Sequence, residues 1–342
     1  MKVYDGVQGG NIRHVKNFMN IKDIFSHYAE EMQTVERQLL GIFSSNVFLI
    51  PMIGQHLISG GGKRIRPLFL LLSADLCGYE EANRTLLAAI IEAIHTASLL
   101  HDDVIDGADT RRGKPAAHSV WGNQVVILVG DFLYSKALKI AVDQKNQKIM
   151  EALSEATTRM TEGEILQLNK VGDPEITKEE YFDIVAAKTG VLISAACRIG
   201  GILAGQPEEN EMALARFGMK TGIAFQLADD ILDYVADQRN LGKKLGKDLE
   251  EGKITMPLIY LLKNASDVEQ DEIRGIIKTR AESEEGRQRI MALFEQYHAI
   301  EESLIIAEAL VEEAKSELAG FPHSEGKEAL LAMAEYAMQR KE

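Results

Sequence analysis

The chain has 342 residues, 46% of them hydrophobic and 6% aromatic, and sets 38 basic against 52 acidic side chains for a formal charge of −14. That length and apolar content allow a full buried core without cross-links, and they exclude disorder and a collagen-like repeat. A balance this acidic repels a phosphate backbone at long range, and no lysine run is long enough to offset it, so a nucleic-acid partner is excluded.

Residues 1–20 carry glycine at 6, 9 and 10 with little periodicity and read as a mobile arm ahead of a helical body spanning 21–342. The arm lacks the apolar segment of a signal peptide. The longest apolar stretch, Leu86 to Leu100, is broken by Glu92 and His95 and is too short for a bilayer. We therefore expect no transmembrane segment and a cytoplasmic location. Cys77 and Cys197, far apart and without metal-ligand spacing, read as core residues in a reducing compartment.

Seven prolines leave stretches such as 116–173 and 258–321 free of them, which suits long helices. Gly60-Gly61-Gly62-Lys63-Arg64-Ile65-Arg66-Pro67 puts three cations beside flexible backbone at the start of a predicted helix, whose first amides favour anions. Next, Leu87, Ile90, Ile91, Ile94, Ala97 and Ser98 recur at helical steps of three and four. Asp173-Pro174 followed by Thr177-Lys178-Glu179-Glu180 has capping-box spacing and predicts a helix running through Ile184 and Ile193. The glycines at 60–62 and 200–201, with Gly113 and Gly252, are expected to punctuate helices. Strand patterns are nearly absent, so the fold class is all-α, one large helical domain.

Two clusters carry the chemistry. Asp102-Asp103-Val104-Ile105-Asp106 and Asp229-Asp230-Ile231-Leu232-Asp233 share the pattern DDxxD. With this aspartate content such a pattern arises about 0.05 times by chance, and twice far less often. On a helix the first and last aspartates of each cluster share a face, and their repulsion is relieved by a hard divalent cation. Mg²⁺ suits them, because it takes one or two carboxylates and completes its shell with water and phosphate oxygens. The apolar stripe runs into the first cluster, so a diphosphate head with a hydrocarbon tail matches better than a nucleotide.

Arg111-Arg112-Gly113-Lys114-Pro115 follows the first cluster; Gly242-Lys243-Lys244-Leu245-Gly246-Lys247-Asp248 and Glu251-Gly252-Lys253 follow the second. Cations concentrated beside both acidic motifs read as phosphate-binding groups. Lys188-Thr189-Gly190 adds a further donor set. His95, two turns before Asp102, reads from the residues alone as a hydrogen-bonded core histidine, and His101, His56 and Trp121 read as structural. There is no Walker-type phosphate loop, dinucleotide glycine fingerprint or nucleophile elbow, which argues against nucleotide hydrolases, dehydrogenases and serine hydrolases.

Together GGKRIRP (61–67), LLHDDVIDGADTRRGKPA (99–116), AAKTG (186–190), FQLADDILD (225–233) and GKKLGKDLEEGKITMP (242–257) resemble the trans-polyprenyl diphosphate synthases. The resemblance covers nearly the whole chain after residue 20. VGDFLYSKA (129–137) and GEILQLNKVGDPEITKEEY (163–181) are most similar to the octaprenyl branch.

The resemblance implies a helical fold around a central apolar cavity, Mg²⁺ as cofactor, a homodimer, and elongation of an allylic diphosphate such as farnesyl diphosphate by isopentenyl diphosphate. It makes Asp102, Asp106, Asp229 and Asp233 metal ligands. Lys63, Arg66, His95 and Arg112 would bind isopentenyl diphosphate, turning His95 from a core residue into a ligand. Arg111, Lys188, Thr189, Gln226 and Lys243 would contact the allylic substrate, and Asp102, Asp106, Arg111, Lys188, Asp229 and Lys243 form the catalytic set. Arg340 and Lys341 would close over the second diphosphate. Ile94, Ala97 and Ser98 would set product length: in short-chain members a bulky aromatic near this level closes the cavity, so small Ala97 and Ser98 imply a long product. A catalytic subunit of a two-component hexaprenyl or heptaprenyl synthase and a farnesyl or geranylgeranyl synthase stay open as alternatives. A terpene cyclase is disfavoured because the second cluster is DDILD.

Overall fold

A computed structural model of the chain describes residues 20–111, 113–235, 246–280 and 283–339. The expected arm, apart from Asn20, lies outside the described residues, as do Arg112, Lys243, Lys244, Arg340 and Lys341.

The first helices are α1 (Ile21–His27), α2 (Ala29–Ile42), α3 (Leu49–Ser59), α4 (Ile65–Leu76), α5 (Asn83–Ile105), α6 (Ala117–Trp121), α7 (Asn123–Asp143) and α8 (Gln147–Lys170). After them come α9 (Lys178–Val185), α10 (Val191–Leu203), α11 (Glu208–Val235), α12 (Lys247–Glu250), α13 (Met256–Asn264), α14 (Asp267–Lys278), α15 (Glu284–Tyr297), α16 (Ala299–Glu317) and α17 (Glu325–Gln339). The all-α class is observed; among the described residues the only sheet is a two-residue antiparallel ladder that pairs Thr110 with Pro115 and Arg111 with Lys114.

α5 is the central rod. The sequence suggests one apolar face, yet Leu87 to Ile94 is buried all round, because α2, α4, α7 and α10 pack about it. The cost of burying Glu92 in that rod is offset by the Arg64 guanidinium, whose Nη1 donates to its carboxylate at 2.8 Å. Arg64 itself precedes α4 in a left-handed conformation (φ 49°), following Gly61 at φ 72°, a turn that glycine reaches without strain.

Thr177 and Glu180 close the expected capping box. The helical path does run on through Ile184 and Ile193, but Ala186–Gly190, which joins α9 to α10, is a π-helical turn. One expectation is corrected: Gly200 and Gly201 lie inside α10 rather than ending it. A β-carbon on Gly200 would stand 2.6 Å from Ser73 Cβ and 2.7 Å from Ala74 N, so the glycine lets α10 pack against the α4 backbone.

Two apolar clusters, one around α4, α5, α7 and α10 and one around α11, α13, α15 and α16, meet at Met219, Leu310 and Met338. Cys197 is fully buried, and burial pushes its thiol up to about 12; Cys77, half-buried, is pushed up to about 11. Among the described residues, no helix is long and apolar enough to cross a membrane.

Candidate active site

The two aspartate motifs sit on the last turns of α5 and on the described end of α11. In each, the middle aspartate turns inward. Asp103 is 1% exposed and grips Arg111: Nε lies 2.7 and 2.9 Å from the two carboxylate oxygens and Nη2 is 2.7 Å from one of them. Asp230 is 6% exposed and accepts from Tyr181 Oη at 2.6 Å and from Gln226 Nε2 at 2.8 Å. Of the flanking aspartates, Asp106 and Asp229 are exposed and Asp102 and Asp233 are half-buried.

Asp102 opens onto a cavity of about 370 Å³, lined also by Arg66, His95, Ser98, Tyr134, Met160, Glu164, Lys188, Thr189 and Gln226. Burial raises its carboxyl to about 6; Glu164 and Asp106 push the same way, and Lys188 and Arg111 push against them. Lys188 is held by Glu164 at 2.9 Å. Asp106 caps α5, where the helix dipole is negative and the last turn holds no cation of its own. Its nearest described cation is Lys253 at 3.7 Å, reaching over from the segment after α12. Burial works against the Lys253 charge, yet Glu251, Asp106 and Asp248 hold its ammonium above the usual range.

A second cavity of about 590 Å³ adjoins the first. Arg66, His95, Thr189 and Gln226 line both, and Lys63, Phe225 and Asp229 line only the second. Arg66 Nη1 lies 3.0 Å from His95 Nε2, and Lys63 Nζ donates to Tyr336 Oη at 3.0 Å. The loop before α4 and the centre of α5 thus converge on one basic chamber.

Asp233 stands apart from both linings. One of its carboxylate oxygens accepts the Asp248 N–H at 3.0 Å, which ties α12 to the end of α11. Asp248 is itself held well above the usual carboxylate range by burial and by Asp230 and Asp233.

Of the residues singled out from sequence, the structure gathers Lys63, Arg66, His95, Ser98, Asp102, Lys188, Thr189, Gln226 and Asp229 around the paired cavities. Five take other places: Asp106 and Asp233 line neither cavity. Arg111 is bound to Asp103, within the turn of the two-residue ladder. Ala97 and Ile94 are fully buried in the core and do not line the cavity below Asp102. α5 lines the cavity with His95, Ser98, Leu99, His101, Asp102 and Ile105, whereas Ala97 is fully buried and absent from the lining. His101 keeps its structural role, with Nε2 3.1 Å from the Ile127 carbonyl.

Glu164, Tyr134, Tyr181 and the inward roles of Asp103 and Asp230 escape a sequence reading. Glu164 and Tyr181 find their partners Lys188 and Asp230 on other elements, and for Asp103, whose partner Arg111 lies in the ladder, no local spacing announces the pairing.

The first aspartate pair fits a divalent cation. Asp102 is crowded by two other carboxylates, and its dipole-negative helix end lacks an internal cation. Among the described residues no three His, Cys, Asp or Glu side chains form a metal cage on their own, so an ion here needs oxygens from elsewhere, as Mg²⁺ at a phosphate site takes them.

An all-helical body whose cleft combines aspartate turns, a basic chamber and an apolar hollow is that of a prenyltransferase. The polyprenyl synthetase family model matches residues 49–294, and the chain belongs to that family. It is 41% identical to octaprenyl diphosphate synthase of Escherichia coli (strain K12), with 94% of this chain and 99% of that protein covered. Among solved structures it is similar to polyprenyl synthase from Caulobacter crescentus CB15 complexed with calcium and isoprenyl diphosphate: TM-score 0.87, 38% identity, 93% of this chain and 97% of that one. It is likewise similar to a decaprenyl diphosphate synthase from Rhodobacter capsulatus: TM-score 0.89, 35% identity, 94% and 99% covered.

Proposed function

We propose that the enzyme extends an allylic diphosphate, with farnesyl diphosphate as primer, by successive trans additions of isopentenyl diphosphate to octaprenyl diphosphate. The observation that carries this reading is the pair of adjoining cavities, one basic and one with an apolar wall, that share Arg66, His95, Thr189 and Gln226.

Lys63, Arg66 and His95 hold the diphosphate of isopentenyl diphosphate, with Arg112 completing the set. Lys188, Thr189 and Gln226 contact the allylic diphosphate, and Lys243 joins them. Asp102, Asp106, Asp229 and Asp233 would hold Mg²⁺, which when bound neutralises diphosphate charge.

Lys188 offers its ammonium to the departing diphosphate as the allylic C–O bond breaks. The isopentenyl double bond then attacks the allylic cation, and a proton leaves to the released diphosphate. No protein nucleophile is needed; the residues stabilise developing charge. The apolar wall of Ser98, Ile105, Met160, Ile165 and Leu168 receives the growing tail.

Val120, Ile127 and Leu128 are exposed apolar residues of α6 and α7, at 51%, 40% and 66%, and support the reading of a homodimer in which a second copy covers them. Light scattering of the wild type should give a dimer, and Leu128→Glu should weaken it.

The test of function is incubation of the purified chain with labelled isopentenyl diphosphate, farnesyl diphosphate and Mg²⁺, followed by sizing of the products. A product of eight prenyl units is expected. A shorter product, or no turnover without a second protein, would overturn the reading.

A further inference from the structure

Tyr181, on α9, lies outside every residue set assigned above, yet it is 4% exposed and its hydroxyl is committed to one partner, Asp230, at 2.6 Å. The other oxygen of Asp230 accepts from Gln226 Nε2 at 2.8 Å, and Gln226 Oε1 accepts from Thr189 Oγ1 at 2.8 Å. Four side chains on α9, α11 and the π-helical turn therefore form one chain of hydrogen bonds.

The chemistry of these groups fixes the direction of that chain. A carboxylate can only accept, so Asp230 must face the NH₂ side of the Gln226 amide; a flipped amide would set oxygen against oxygen. The Thr189 hydroxyl then donates to Oε1. With both ends of the amide held, the second N–H of Gln226 points in a set direction, and Gln226 lines both substrate cavities. The π-helical turn puts Thr189 within reach of α11. It packs so closely there that a β-carbon on Gly222 would stand 2.7 Å from Gly190 Cα.

We propose that Tyr181 is a positioning residue: by anchoring Asp230 it locks the Gln226 amide in the one orientation that presents an N–H to the allylic diphosphate. The inference rests on the placement of the allylic substrate at Thr189 and Gln226. Asp230 acts here as the fixed acceptor that transmits the anchor.

The test is a double-mutant cycle on the full-length enzyme with Tyr181→Phe, Thr189→Val and the pair. KM and kcat are measured for farnesyl and isopentenyl diphosphates, with thermal melts alongside. Tyr181→Phe is expected to lower kcat/KM for the allylic primer about tenfold, a typical effect of losing one buried hydrogen bond, while KM for isopentenyl diphosphate stays within about twofold. The double variant should be no worse than Thr189→Val alone, and Thr189→Ser, which keeps the hydroxyl, should restore the primer kinetics.

Additive losses, or a lower melting temperature with unchanged primer kinetics, would overturn the proposal and leave Tyr181 a packing residue. If Thr189→Val itself leaves the primer kinetics intact, the underlying placement of the allylic substrate fails instead. Should Tyr181→Phe not fold, Tyr181→Leu removes the same hydroxyl, and the same primer-selective loss is required.

Discussion

Asp103 and Arg111, eight residues apart, form a two-pronged ion pair in which the carboxylate is 1% exposed and the guanidinium about one-third exposed. The pair ties the turn after α5 to the helix end that carries the first aspartate motif. Its loss should therefore be felt in the fold before the chemistry. Arg111→Ala strands a buried charge and should cost about 3–5 kcal/mol in urea unfolding, with Arg111→Lys in between. An Arg111→Ala protein as stable as the wild type, but inactive, would return Arg111 to a purely ligand role.

Ser98 and Ala97 are neighbours in sequence with opposite surroundings, so they separate product length from stability. Ser98 faces Tyr134 and Met160 across the cavity, and a ring there should floor it. Ser98→Phe is expected to give shorter prenyl chains, read by chromatography of the dephosphorylated alcohols. Ala97→Phe forces a ring into the packed core and should cost about 1–3 kcal/mol with little direct effect on chain length. The reverse pattern would place the tail on the other side of α5.

The residues that sequence makes legible are those whose meaning is local. The helices follow from apolar spacing and a capping box, and the two DDxxD turns announce themselves by repetition. Lys63, Arg66 and His95 stand out beside glycines or within helical reach of an aspartate, though His95 needed the family resemblance to count as a ligand. What stays hidden depends on contacts between helices. The π-helical turn at 186–190 is set by packing against α8 and α11, and Gly200 marks a close helix crossing that reads in sequence as a break. Tyr134 and Met160 line the cavity from α7 and α8, where no spacing on α5 could point to them.

The contact between α10 and α4 yields a second stability test. Replacing glycine by alanine inside a helix ordinarily gains about 1 kcal/mol. At Gly200 the new methyl meets backbone and Cβ atoms at 2.6–2.8 Å, which cannot move aside, so Gly200→Ala should lower the melting temperature. At Gly201 the nearest atom is Leu214 Cδ1 at 2.9 Å, the end of a flexible side chain. Gly201→Ala should then be close to neutral, and thermal melts of the two variants check the contrast.

The raised carboxyl of Asp102 makes stability depend on pH in a direction that can be worked out. Burial, with Glu164 and Asp106 facing it, holds the group near 6, whereas an unfolded aspartate titrates near ~3.9. The folded state therefore favours the protonated form. In chelator, stability from this group is full below about pH 4, falls as pH rises through about 6, and is level above that, a loss on the order of 3 kcal/mol, about 2 of it between pH 4.5 and 7.5. Asp102→Asn stays neutral throughout and escapes the loss. Urea melts in chelator at pH 4.5 and 7.5 should thus show the variant gaining on the wild type by about 2 kcal/mol at the higher pH. Millimolar Mg²⁺ should stabilise the wild type at pH 7.5 and narrow the gap, because a bound cation favours the ionised carboxylate. A gap that is the same at both pH values would mean that Asp102 ionises as an ordinary surface aspartate.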